Sequence, residues 1–386
     1  MRLLWIMLCL VLLTGCASAP AQMPSISPET EPSPVTEAAT VPAEPKPTQP
    51  PKDPLTVLLE SLTIEERVGQ LFLARCNSET ALQDAEAYHL GGFMLFSQDF
   101  ENQTPDSLRA TLDGYQAAAN VSLLLAVDEE GGTVTRISRY PAFRSSRFPS
   151  PRTAFDQGGM EGAWDNEWEK CEFLRSLGLN VNLGPVCDIS TDPGGFMYQR
   201  SLGQDPDTTA KFVSGTVDRM AQNRIGSVLK HFPGYGNNAD THVGIAADGR
   251  SLDELEGADL KPFAAGISAG ADAVLVSHTI VEALDAENPA SLSPAVHDYL
   301  RNVMGFSGVI MTDDLVMEAI TERYGAAEAA VQAILAGNDL LLCSTEYAIQ
   351  YEAVLAAVLD GRIDFDTLNN AARRVLQWKQ ELGLLS

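Results

Sequence analysis

Residues 225–242 read I-G-S-V-L-K-H-F-P-G-Y-G-N-N-A-D-T-H, and this stretch decides how the chain folds. Ile225 to Leu229 is a short, mostly apolar run with the length of a buried strand. Where it ends, Lys230, His231, Pro233, two glycines, Asp240 and His242 come within thirteen residues. Polar chemistry gathered just past a strand's C-terminal end is how α/β folds build their sites. Asp240 and His242 stand two apart, so in an extended loop their side chains point the same way and hydrogen-bond. A carboxylate on one ring nitrogen fixes the imidazole tautomer and raises the basicity of the other, which suits a general acid/base.

Outward from this stretch, short apolar runs alternate with helical patterns. The runs predict strands at Gln70–Ala74, Gly92–Phe96, Leu123–Val127, Val181–Val186, Gly226–Leu229, Ala273–Val276, Gly308–Met311 and Leu340–Leu342. Helices are predicted between them at Pro105–Asn120, Asp165–Leu177, Asp207–Asn223, Asp253–Ala269, Pro294–Met304 and Glu318–Ala336, and after them at Ala348–Leu359 and Asp366–Leu384. Pro54 to Leu62 opens the domain with a helical turn or two, and Thr63 with Glu66 forms a capping box. Eight strands alternating with helices predict an α/β fold, a (β/α)8 TIM-like barrel forming a single catalytic domain over residues 54–386. A doubly wound sheet is the alternative.

In a barrel, polar residues just after the strands converge on one face. After Leu123–Val127 comes Asp128-Glu129-Glu130-Gly131-Gly132, then Arg136. Glu130 and Arg136 either pair with each other or face a ligand. Asp188 and Arg200 follow the next strand, Asp188 as a support for its loop and Arg200 as a ligand donor or a neutraliser of nearby carboxylates. Ser277-His278 and Thr312-Asp313-Asp314-Leu315-Val316-Met317 follow two later strands.

These motifs together resemble the family-3 glycoside hydrolases, most closely their single-domain β-N-acetylglucosaminidase branch. That branch carries K-H-F-P-G-H-G followed by D-S-H; here Tyr235 replaces the second histidine and Thr241 the serine. Its D-x-E-G-G-x-V-x-R element matches Asp128 to Arg136, and its S-D-D-L-x-M element matches Thr312 to Met317. The resemblance implies that Asp313 is the nucleophile and that Asp240 with His242 is the acid/base. It also implies that Asp128, Arg200, Lys230 and His231 bind sugar, with His278 behind them. Ala336-Gly337-Asn338-Asp339 resembles a family turn before the last strand. A retaining mechanism follows, in which Asp313 forms a covalent glycosyl-enzyme while His242 protonates the leaving oxygen and then activates water. The implied activity is that of an exo-β-N-acetylhexosaminidase on terminal N-acetylglucosamine of peptidoglycan fragments or other β-linked glycans. The alternatives are a family-3 glycosidase or phosphorylase for another sugar, or a non-catalytic wall-binding lipoprotein. No metal-ligand spacing or phosphate-binding glycine loop occurs in the sequence, so neither a metal nor another cofactor is expected.

A formal charge of −26 argues against nucleic acid or an anionic membrane surface as the main partner. At the N-terminus, Arg2, the apolar run Leu3–Leu13 and L-T-G-C ending at Cys16 read as an export signal over residues 1–16, too short to span a bilayer. The ending resembles a bacterial lipobox, which implies lipidation of Cys16 and an extracytoplasmic, membrane-anchored protein. Residues 17–53 are rich in Pro, Thr, Ser, Ala and Glu, and read as a disordered tether. Cys76, Cys171, Cys187 and Cys343 lack metal-site spacing and are expected as free, buried thiols. The enzyme is expected to act as a monomer.

Overall fold

The computed structural model describes residues 53–236, 246–317, 320, 323–343 and 345–385. Eight parallel strands form one sheet: β1 Phe72–Arg75, β2 Gly92–Leu95, β3 Leu124–Val127, β4 Val181–Asn182, β5 Gly226–Phe232, β6 Ala273–Val276, β7 Val309–Thr312 and β8 Leu341–Cys343. Each pairs with the next in chain order, β8 pairs with β1, and a parallel bridge from Met311 to Leu340 joins β7 to β8. The sheet closes on itself, which rules out the doubly wound alternative. A two-residue ribbon, Ala247–Asp248 alongside Ile280–Val281, lies outside the barrel sheet.

Period-two alternation sorts the strand residues into two layers. Leu73, Met94, Leu124, Ala126, Val228, Leu275, Val309 and Met311 fill the barrel, together with Trp378 from the last helix and Leu382 that caps it. Phe72, Ala74, Phe93, Leu95, Leu125, Val127, Val274 and Ile310 belong to the clusters that hold the helices on the outside. The helices start where the chain supplies caps. Thr63 and Glu66 form the expected capping box ahead of Ile64–Gly69, and Asp205 caps Pro206–Gln222.

Several boundaries differ from expectation, each for a local reason. β5 runs three residues beyond Leu229, to Phe232, and β7 takes in Thr312; their polar ends continue the ladder although the apolar run has stopped. β4 is only Val181–Asn182, since the Gly184-Pro185 pair follows at once. The helix expected from Asp165 lies within a helical stretch from Pro151 to Ser176, two helices joined at a kink where Gly159, at φ 63° and ψ −156°, is not helical. Asp253–Ala269 divides into Leu252–Gly257 and Leu260–Ser268 at Ala258, and Pro294–Asp298 passes into a π-turn at Tyr299–Val303. The helix expected over 318–336 is described at Ala326–Ala336. Sequence reasoning missed the short helices Ala81–Tyr88 and Ser97–Phe100.

Candidate active site

The C-terminal ends of β3 to β7 bring the expected residues together. Asp128 follows β3, Lys230 and His231 lie within β5, and Asp313 follows β7. Register places them at one end: Phe232 pairs with Val276, Val276 with Thr312, and the Asp313 amide donates to the Val276 carbonyl at 2.9 Å. In a regular strand Lys230 and His231 would face opposite sides. A register shift between Leu229 and Phe232 breaks that alternation, and both side chains join one network.

Glu130 is the centre of that network. Its carboxylate receives Arg200 through Nε at 2.9 Å and Nη2 at 2.6 Å, and Lys230 Nζ at 2.7 Å. Burial pushes the Glu130 carboxyl up, but Arg200 and Lys230 outweigh it and hold the group well below the usual carboxylate range. For Lys230 the same contest runs the other way: burial lowers the ammonium, and Asp128 and Glu130 raise it above its ordinary value. Of the two alternatives for Glu130 and Arg136, the pairing of one with the other is therefore not formed. Arg136 instead meets Asp128 at 3.2 Å, and Lys230 also donates to Asp128. With its side chain 16% exposed, against 1% for Glu130, Asp128 is the carboxylate of the two with surface left for a ligand.

Glu129, whose role sequence reasoning missed, shapes the loop. It accepts from the amides of Arg136 and Ile137 at 2.8 Å and from the Ser138 hydroxyl. Gly131 is required beside it: at φ 103°, an added Cβ would lie 2.1 Å from the Pro149 carbonyl oxygen.

Asp188 supports its loop, as expected, and also fixes His231. One carboxylate oxygen meets His231 Nδ1 at 2.7 Å and accepts from the His231 amide; the other accepts from the Tyr235 amide at 2.8 Å. Arg200 Nη2 donates to His231 Nε2 at 3.2 Å, so the proton belongs on Nδ1, where it is donated to Asp188. Tyr235, the departure from the family pattern, is 1% exposed and packs edge-on against Phe196 and His231 at 4.9 and 5.3 Å between ring centres.

Around Asp313, the Asp314 amide donates to Asp313 Oδ1 at 2.9 Å, while Asp314 Oδ1 accepts from Val316 in a tight turn. The buried His278 donates from Nε2 to the Asp314 carbonyl at 3.0 Å, which leaves Nδ1 to accept from the Ser291 hydroxyl at 2.6 Å. It thus braces the turn that presents Asp313. Asp339 sits at the other end of β7, joined to Arg301 and Arg374 and accepting from the Ile310 amide, as expected of a structural turn.

Asp240, Thr241, His242 and Cys16 lie outside the described residues. Cys76, Cys171 and Cys187 are free and buried, and burial pushes the first two thiols up to about 12. Among the described residues no three His, Cys, Asp or Glu side chains gather as a metal site. A carboxylate following β7 at the same barrel end as a polar, hydrogen-bonding wall from β3 to β5 suits attack on a neutral, hydroxyl-rich ring.

Residues 63–378 match the Glycosyl hydrolase family 3 N terminal domain. A Beta-hexosaminidase of Stenotrophomonas maltophilia is 36% identical over 287 residues, covering 71% of this chain and 84% of that protein. Among solved structures, a glycoside hydrolase family 3 beta-N-acetylglucosaminidase from Paenibacillus sp. superposes with a TM-score of 0.79 at 31% identity, over 84% of this chain and 63% of that one. A Beta-N-acetylhexosaminidase from Beutenbergia cavernae gives 0.73 at 30%, over 83% and 99%.

Proposed function

The chain belongs to glycosyl hydrolase family 3, and from that premise we propose that it is a retaining exo-β-N-acetylhexosaminidase. It releases terminal N-acetylglucosamine from β-linked glycans, peptidoglycan fragments among them. The observation that carries this reading is the placing of Asp313 at the same barrel end as the Asp128–Lys230–Glu130–Arg200–His231 network. Relatives and solved structures named for β-hexosaminidase activity support the choice of sugar.

Asp313 attacks the anomeric carbon from below the ring and forms the glycosyl-enzyme. His242, protonated and oriented by Asp240, donates to the leaving oxygen and then takes a proton from the incoming water. Asp128 accepts from neighbouring ring hydroxyls, and charge makes these hydrogen bonds strong. Lys230, Arg200 and His231 complete the wall that holds the sugar. Glu130 stays out of contact with it, fully engaged by its two cations.

Hydrolysis of the 4-nitrophenyl β-glycosides of N-acetylglucosamine, glucose and xylose tests the reading. The N-acetylglucosaminide is expected to turn over fastest. Preference for glucose or xylose would overturn the substrate assignment, and no turnover of any would favour a binding protein. The tether and lipid anchor belong to the same proposal: Cys16→Ser is expected to move the protein from the membrane pellet to the soluble fraction.

A further inference from the structure

We propose that Arg250 is a positioning residue for the acid/base, holding the two ends of the segment that carries Asp240 and His242 in fixed relation. The proposal rests on the assignment of that dyad made above. The chain leaves β5 through Pro233-Gly234-Tyr235-Gly236 and is described again from Ala246, nine residues having intervened. The downstream end is held by the ribbon: Ala246 and Asp248 carbonyls accept from Ile280 at 2.8 Å and Glu282 at 3.0 Å.

Arg250 ties this end to the upstream one. Its Nη2 donates to the Gly234 carbonyl at 3.2 Å and to Asp248 at 2.6 Å, while Nε donates to both Asp248 oxygens at 3.0 and 3.1 Å. Its Nη1 reaches Asp259, at the head of Leu260–Ser268, at 2.6 Å. Gly236, at φ 55°, lies against the guanidinium: an added Cβ would stand 2.8 Å from Nη1. The Asp248 and Asp259 side chains are 1% and 4% exposed, so each needs this cation. Only a planar fork with several donors serves a carbonyl and two carboxylates together; a lysine offers a point charge.

The consequence is chemical as well as structural. A displacement of about 1 Å in a catalytic group costs on the order of 10²-fold in rate. If Arg250 sets where the dyad starts and stops, its loss removes proton donation while leaving Asp313 and the sugar wall in place. A leaving group that departs without a proton then hides the defect.

The test is kcat/KM for Arg250→Met, Arg250→Lys and the His242→Ala control on aryl N-acetyl-β-glucosaminides ranging from 2,4-dinitrophenyl to phenyl. Relative to wild type, Arg250→Met is expected to lose about 100-fold on the phenyl glycoside and less than about 5-fold on the dinitrophenyl one. His242→Ala should show a trend in the same direction, with a steeper slope. Uniform loss across the series in a folded variant, or no loss, overturns the proposal. Should circular dichroism show that Arg250→Met is unfolded, Arg250→Lys decides by the same criteria. A flat profile for His242→Ala would instead overturn the dyad assignment, and an inert wild type the hydrolase reading itself.

Discussion

Glu130 holds two cations on one buried carboxylate, and Asp128 beside it shares one of them. Neutralising Glu130 strands Lys230 and Arg200 in a buried site, so Glu130→Gln is expected to destabilise the fold by about 3–5 kcal/mol. It should also raise KM by loosening the sugar wall; a urea melt together with steady-state kinetics checks both. Asp128→Asn keeps the shape but weakens hydroxyl binding, and is expected to lower kcat/KM by roughly tenfold or more while destabilising the fold less than Glu130→Gln, since Lys230 keeps Glu130. Asp128, Lys230, His231 and Arg200 were legible in the sequence because strand-end motifs carried them. The partner of Glu130 was not, since Arg200 lies 70 residues away and only the closed barrel brings it near. Asp188 was legible only as a loop support; its contact with His231 depends on a register shift within β5 that no spacing announces.

At the level of the element, the last helix, Phe365–Glu381, carries Lys379 into the protein interior. Its Nζ has Gln70 Oε1 at 2.6 Å, and burial pushes the ammonium down from 10.5 to about 7. Between those values the unfolded chain binds a proton that the folded one does not, so stability from this group climbs as pH rises from about 7 to 10.5. Lys379→Met removes that dependence. The variant should be the more stable at pH 7, and its advantage should shrink by a few kcal/mol towards pH 10 in denaturant melts. A gap that stays constant with pH would show that Lys379 is not the source. Elements were legible where apolar periodicity was clean, as in β3 and β6. They were misjudged where a rule of thumb gave way to tertiary packing: the helix expected from Asp165 has helical chain ahead of it from Pro151, and Thr312, read as following its strand, belongs to it.

On the scale of the whole molecule, the barrel was legible because eight apolar runs alternate with helical stretches. In the fold, alternating strand residues serve two cores, and a strand shifted by one residue would exchange them. What the sequence left open was the doubly wound alternative, which the pairing of β8 with β1 and the bridge from Met311 to Leu340 exclude. The compact unit Lys52–Ser386 contains every described strand and every residue of the sugar wall. Removal of residues 1–51 is therefore expected to leave kcat/KM and Tm unchanged, as thermal melts and aryl glycoside assays would establish; a lower Tm would mean that the leading segment stabilises the barrel. The whole proposed mechanism turns on Asp313 as the nucleophile of a retaining hydrolase. A 5-fluoro glycosyl fluoride of N-acetylglucosamine, followed by intact-protein and peptide mass spectrometry, tests this directly. One sugar adduct on Asp313, absent in Asp313→Ala, is the predicted result; an adduct on another carboxylate, or turnover with no adduct and an inverted anomeric product, would contradict it.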